Sequence, residues 1–379
     1  MTVTLKEFAD LYRLPGPWCT AYVDAGTGTV DGLEASEVGP GNIRAELEAQ
    51  GAGPEDLDAM EQALRPAEGE PSPVARFVLV RQGSVELDEL LPGALVMPQS
   101  ATAGPIPDLL PLIQHRPEVF PYVVAEVSRD NGEIRLHHAG TTAPATIEEV
   151  QGSSEHLHKF SGGGWSQLRF QHHTEEIWRR NADEVAAQID RVVSSSGAKL
   201  VVLSGDIRAR GLVQDQLSKA AQELVRVVDS HTHTAGADPD ALTDDIRQSV
   251  AERWASEQQE ILERLATQEG QANPESATGI GPVVHALQQA QVEVLILAAD
   301  ALSGRTFLAL DAEPWVATAE EEALGAGLLG PVPAAAALLR AAALTDAKVL
   351  LVPGAVLPQG LDIAALLRWQ SGPEAPSPV

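Results

Sequence analysis

The chain has 379 residues, enough for two or three domains with cores of their own, and its 44% hydrophobic and 21% charged content is that of a folded globular protein. A formal charge of −28, from 26 Lys and Arg against 54 Asp and Glu, repels nucleic acid in bulk, so such a partner must be met by a local cationic patch. One cysteine, Cys19, excludes an internal disulfide. The N-terminus MTVTLKEFADLY lacks the apolar core of a signal peptide, and the long uncharged stretch between Glu322 and Arg340 is broken by Gly325, Gly327, Gly330, Pro331 and Pro333. A cytoplasmic protein with no membrane segment is expected.

In chain order, WCTAYVD (Trp18 to Asp24) and ARFVLVR (Ala75 to Arg81) read as strands, with PGNIRAELEAQ and PEDLDAMEQAL between them as short helices. The second helix is opened by Pro54 and by acids in its first turn. These elements define an α/β domain over residues 1–115. Six basic against seventeen acidic residues in its first hundred make it a poor surface for RNA. The proline-punctuated run GPIPDLLPLIQHRPEVFP (Gly104 to Pro121) forbids a continuing helix and marks the joint to a central domain, 116–218.

In the central domain YVVAEVSRDNGEIRLHH reads as a β-hairpin turning at Asn131-Gly132, and a polar, glycine-rich segment then runs to Trp165. A helix follows in which Ile177, Ala182, Val185, Ile189 and Val192 recur at three to four, and KLVVLSG (Lys199 to Gly205) is a buried strand. A third domain, 219–370, is opened by a strand at LVRVVD (Leu224 to Asp229). In its long helix Leu242, Ile246, Val250, Trp254, Ile261 and Leu265 form one stripe that needs a partner surface. GIGPVVHALQQAQVEVLIL (Gly279 to Leu297) supplies a helix after Gly281 and a buried strand from Val292, and KVLLV (Lys348 to Val352) another strand. The alternation implies a helix-covered sheet. Residues 371–379 have no apolar periodicity and read as a disordered tail, and the chain shows no internal repeat.

The stretch HKFSGGGWSQLRFQHHTEE (His158 to Glu176) is the most informative. Gly162, Gly163 and Gly164 have no β-carbon, so their loop can approach another backbone or a nucleic acid closely. Around them stand Lys159, Arg169, His172 and His173, a cationic collar on an acidic chain. Residues 151–215 hold eight basic and eight acidic residues, and six of the ten histidines lie between His137 and His173, which makes this segment neutral between acidic flanks. The plain alternative is a surface loop leading into a helix near Ser166.

HKFSGGGWSQLRF, the amphipathic helix after it and KLVVLSGDIRARGLVQDQL resemble the central domain of the archaeo-eukaryotic class-one release factors. There a Gly-Gly-Gln tripeptide precedes a Ser-x-x-Arg-Phe helix start, and Gly163, Gly164, Ser166, Arg169 and Phe170 match residue by residue. GIGPVVHALQQAQVEVLILAADAL resembles the family's C-terminal domain, and GLDIAALLRW (Gly360 to Trp369) its Gly-rich ending before Leu-Arg-aromatic. The resemblance covers roughly Tyr122 to Trp369. The N-terminal domain does not match the family's Asn-Ile-Lys-Ser codon-reading motif. What the resemblance implies is a three-domain α/β fold, with a central RNase H-like domain and a C-terminal helix-covered mixed sheet like a ribosomal-protein domain.

Trp165 stands where the family has Gln. In release factors that amide enters the peptidyl-transferase centre and helps a water attack the ester of peptidyl-tRNA. An indole has one donor, no acceptor and a larger volume, so a protein without peptide-release activity, and not an enzyme, is expected. Trp165 is left to stack on a base, at ~1–3 kcal/mol, or to pack against its own domain. A kept architecture with a lost Gln is similar to the Pelota branch and its bacterial homologues, a ribosome hibernation factor among them. That similarity implies a non-catalytic factor occupying the ribosomal A site in stress, dormancy or rescue. It also implies ribosomal RNA, P-site transfer RNA and elongation factor Tu as partners, and neither cofactor nor metal.

Other constellations carry less. GAGLLG (Gly325 to Gly330) has dinucleotide-site spacing but follows EEEAL and ends against Pro331 instead of opening a helix after a strand. His156 with His158, and His231 with His233, could each face one side of a strand as metal ligands, with no third ligand nearby. Asp206, just past a buried strand and close to Arg208 and Arg210, is the candidate for a metal-dependent RNA hydrolase; Ser204 lacks a G-x-S-x-G context. Glu175 and Glu176 point about 100° apart on a helix and are expected to pair with Arg179 or Arg180. The helix Leu242 to Leu265 is the candidate dock of a protein-interaction module with no RNA role.

Overall fold

The computed structural model describes residues 2–26, 30–65, 73–116, 120–138, 144–151, 165–229, 239–269, 271, 273–298, 300, 302–357 and 360–370, and their side chains except at 30–38, 165–174, 239, 269 and 355. The fold is mixed α/β with several sheets, and it divides into two compact units, one of residues 117–257 and one of 1–116 with 258–379. No helix among the described residues is long and apolar enough to cross a membrane.

The unit 117–257 is built on a five-stranded sheet in the order Val225–Val227, Leu200–Gly205, Pro121–Val127, Asn131–His138, Thr146–Gln151. The first three strands run parallel and the last two antiparallel to their neighbours. Val123, Ala125 and Ile134 on the sheet pack against Ala182, Val185 and Ile189 of the helix Trp165–Ser196, the face its three-to-four periodicity selects. The hairpin turns two residues earlier than the Asn-Gly pair suggests, at Arg129-Asp130. Val127 lies opposite Gly132, and the Ser128 N–H donates to the Asn131 carbonyl at 2.8 Å. Gly132 is instead a strand residue over which the helix passes closely: a Cβ there would stand 2.9 Å from a methyl of Val185.

The strand expected to open a third domain pairs in parallel with Leu200–Gly205, so residues 219–257 group with the central unit and not with the C-terminal residues. Its local sequence does not reveal which sheet edge it completes. The apolar stripe of the long helix Pro239–Glu269 is likewise split at Glu257. Trp254 meets Phe120 edge-on at 6.2 Å in the central unit. Ile261 and Leu265 are buried against Val294, Ile296, Leu350 and Ala364 in the other unit.

That second unit joins both ends of the chain. A four-stranded antiparallel sheet, in the order Ser84–Pro92, Val74–Arg81, Trp18–Asp24, Ser100–Gly104, presents Cys19, Ala21, Val78 and Val80 to Ile43, Leu47, Leu57 and Met60 of two helices. Trp18, Tyr22, Phe77 and Leu79, on alternate positions, belong to a core shared with the C-terminal residues. The C-terminal sheet has the order Thr2–Thr4, Lys348–Leu351, Val292–Leu297, Ile363–Leu367, Ser276–Thr278, so an N-terminal strand completes its edge. Residues 1–115, expected to be a domain of their own, therefore share one core with the C-terminal residues.

Arg340 is the polar tie of that core. It sits in the alanine-rich helix Ala334–Leu344, 3% exposed, and donates to the carbonyls of Leu310 at 2.8 Å, Trp315 at 3.2 Å and Tyr12 at 3.3 Å. The guanidinium also lies over the Trp315 ring. Burial lowers its pKa to about 10, so it stays charged at neutral pH. Arg340→Met is expected to remove the guanidinium donors of these carbonyls, of which that of Trp315 keeps the Leu310 N–H at 3.0 Å, and to destabilise the chain by about 2–4 kcal/mol in chemical denaturation. A loss below about 1 kcal/mol would show that the carbonyls find other donors.

Candidate functional site

The parallel strands of the central unit end on one edge, the place where α/β sheets usually hold their functional groups. There Gly205 takes φ +110°, and a Cβ on it would stand 2.0 Å from the Val127 carbonyl oxygen, so only glycine fits. The next residue, Asp206, caps the helix Ile207–Gln216: its Oδ1 accepts from the N–H groups of Arg208 at 2.9 Å and Ala209 at 3.1 Å. Its Oδ2 faces Arg129 Nη2 at 3.2 Å. Partial burial pulls this carboxyl's pKa up. Hydrogen bonds from Ala209, Arg129 and Arg208 outweigh that and hold it below the ordinary value.

Arg129 comes from the hairpin turn and lies 4.8 Å from the ring centre of Trp178, while its carbonyl accepts from the buried Asn181 side chain at 3.1 Å. The turn is thereby fastened to the long helix at two points. Beside them Arg210, 6% exposed, donates to Asp229 at 2.9 Å and to the Val228 carbonyl. A cleft of 980 Å³ opens here, bordered by Arg129, Asp206, Arg210 and Asp229 together with Glu126 and Glu149. Arg129 and Trp178 were not legible as a pair, because they are 49 positions apart and only the hairpin and helix bring them together.

Asp206 is therefore occupied on both oxygens, and a metal there would have to displace Arg129 or the helix cap. Among the described residues no group of three or more His, Cys, Asp and Glu is placed to hold a metal ion. His156, His158, His231 and His233 lie outside the described residues. Arg180 pairs with Glu184 at 3.7 Å, one turn after it in the helix, whereas the acids expected to engage it lie one turn before it.

The glycine-loop residues are placed only in part. Lys159, Gly162, Gly163 and Gly164 lie outside the described residues, whereas the helix begins at Trp165 and carries Arg169, His172 and His173 in its backbone; the side chains of these four lie outside the description. Further up the same sheet, His137 stacks on Tyr122 with ring centres 5.2 Å apart. Burial, then the charges of Arg135 and His138, lowers its pKa to about 4, so it is neutral at pH 7.

Residues 121–271 match the model of the bacterial archaeo-eukaryotic release factor family 2, which makes this segment release factor-like. An uncharacterised protein of Mycobacterium tuberculosis strain H37Rv is 28% identical over 316 residues, covering 80% of this chain and 82% of its own. Among solved structures, archaeal Pelota from a ribosome-bound assembly is 14% identical, with a TM-score of 0.42 and coverage of 98% of this chain and 96% of its own. A translation termination-like factor of S. cerevisiae, involved in RNA quality control, is 12% identical with a TM-score of 0.42, covering 78% of this chain and 79% of its own.

Two outcomes follow from this geometry. Gly205→Ala is expected to force the two central strands apart and to cost about 3–4 kcal/mol, measured by thermal and chemical unfolding; equal stability would show that the Val127 strand can yield. In the second, His137 takes its proton less readily folded than unfolded, so its contribution to stability is lost as pH falls from 6.5 towards about 4. His137→Phe keeps a ring over Tyr122 and is expected to flatten that part of the stability curve by roughly 1–2 kcal/mol, the half-exposed ring being partly screened by solvent.

Proposed function

We propose that this chain is a ribosome-binding translation factor that occupies the A site in stress, dormancy or rescue and does not hydrolyse peptidyl-tRNA. One observation carries the reading: within a segment matched to bacterial release factors, Trp165 opens the long helix directly after Gly162, Gly163 and Gly164 in the sequence, and we take it to stand where the family has its reactive Gln. The glycines allow close approach to RNA, Trp165 stacks on a base, and Lys159, Arg169, His172 and His173 meet phosphates. Ribosomal RNA is the main partner on this reading, with P-site transfer RNA and elongation factor Tu as neighbours.

The −28 charge fits if the acidic faces point to solvent or to basic proteins while few phosphates are neutralised. Affinity should then fall gently with salt, with a slope of log K against log salt of about −1 to −3. A slope steeper than about −6 would contradict a small cationic patch. The hydrolase reading has less support, since Asp206 is engaged as a helix cap and by Arg129.

The test is sedimentation of the tagged full chain through sucrose gradients with ribosomes from growing and from starved cells, beside a Gly163→Val/Trp165→Ala variant. Wild type is expected to travel with ribosomes and the variant to stay at the top. Wild type remaining at the top with both ribosome preparations would overturn the proposal.

A further inference from the structure

The GAGLLG segment, which does not open a helix, has a different character in the folded chain. It follows a short turn of 3-10 helix, Glu320–Ala323, and runs into the strand Leu328–Pro333 of a small three-stranded sheet. At its head Leu324 is 81% exposed and has φ +52°, a left-handed conformation that a branched apolar side chain disfavours. Leu328 and Leu329 are exposed beside it in the chain. An apolar side chain held in water on a strained backbone is costly twice over.

The loop is nevertheless firmly built. Thr318 donates its N–H to Glu322 at 2.7 Å and its hydroxyl to the same carboxylate at 2.9 Å. Asp311 Oδ1 accepts from the Gly327 N–H at 2.7 Å, and the Asp311 N–H donates to the Gly327 carbonyl at 3.0 Å. A Cβ on Gly327 would stand 2.5 Å from the Asp311 carboxylate, so any larger residue there would push that carboxylate off the Gly327 N–H. These bonds fix the loop from both sides while its apolar head stays in solvent.

Charge identifies the kind of partner. Between Arg305 and Arg340 the sequence contains no Lys or Arg, whereas Asp311, Glu313, Glu320, Glu321 and Glu322 all fall within it, and Arg340 itself is buried. RNA and anionic lipid are repelled by this run of acids. A second copy of a chain at −28 would bring the same acids face to face. We infer that the loop is a docking knob for a basic amphipathic helix of a protein partner: Leu324 packs into the helix's apolar face, and the glutamates that precede it in the chain meet the lysines beside that face.

The test uses the full chain and a fluorescent fourteen-residue helical peptide with leucines on one face and lysines flanking them, read by anisotropy. Glycine takes φ +52° without strain, so Leu324→Gly should fold at least as well as wild type, checked by its thermal midpoint, and bind the peptide at least tenfold more weakly. Glu320→Gln/Glu321→Gln should weaken binding and flatten its salt dependence. The inference is overturned if wild type ignores the peptide. It is equally overturned if Leu324→Gly binds unchanged, or if oligolysine of equal charge binds as well as the peptide. Self-association of wild type that Leu324→Gly abolishes would assign the knob to a second copy, and displacement of the peptide by a single-stranded RNA would assign it to nucleic acid; either result rejects the inference.

Discussion

The approach of Gly205 to Val127 sets the working edge of the central unit. At this point the strands Pro121–Val127 and Leu200–Gly205 come so close that a single methyl would meet a carbonyl oxygen at 2.0 Å, and the chain turns on a positive φ into Asp206. The tight turn lets Asp206 cap the next helix and face Arg129 at the same time. Arg129 in turn rests on Trp178 and is held at its carbonyl by Asn181, both from the helix that starts at Trp165. The helix that carries the glycine-loop motif is thus anchored through polar contacts to the sheet edge and through Val185 and Ile189 to its face.

The other unit relies on a different economy. Its largest core is mostly alanine, valine and leucine, and the guanidinium buried there, that of Arg340, is satisfied by three main-chain carbonyls and an indole face. The same segment that leads to Arg340 carries five acids and an exposed apolar loop and no external cation. The negative charge of the chain is therefore patterned: it surrounds a candidate protein contact in this unit and is relieved to neutrality over residues 151–215, where contact with RNA is proposed.

Much of the fold was legible where local pattern and burial agree. The strands Trp18–Asp24 and Val292–Leu297, and the helix face of Ala182, Val185 and Ile189, follow from apolar periodicity alone. What pattern could not supply was pairing. Val225–Val227 has the same composition whichever sheet it joins, and Thr2–Thr4 is too short to announce that it completes a C-terminal sheet. The Asn131-Gly132 pair misled because glycine serves two purposes: here it admits Val185 instead of making the turn. Asp206 read as a candidate acid, since a carboxylate after a strand looks the same whether it reacts or caps a helix. Of the candidate RNA-binding residues, the structure places Trp165 at the helix start and Arg169, His172 and His173 along it, while Lys159 and the three glycines fall outside the described residues.

The central proposal is that Gly163, Gly164 and Trp165 meet ribosomal RNA in the A site, next to the peptidyl-transferase centre. Cys19 makes a direct test possible, because it is buried and burial, then the charge of Asp56, pushes its thiol to about 11, leaving it unreactive at neutral pH. A cysteine introduced as Ser166→Cys would then be the reactive thiol to which an iron chelate is tethered for hydroxyl-radical cleavage of ribosomal RNA. The account predicts strand breaks in large-subunit RNA around the peptidyl-transferase centre. Cleavage confined to other regions, or none above the level of the chelate-treated wild-type protein, would contradict it.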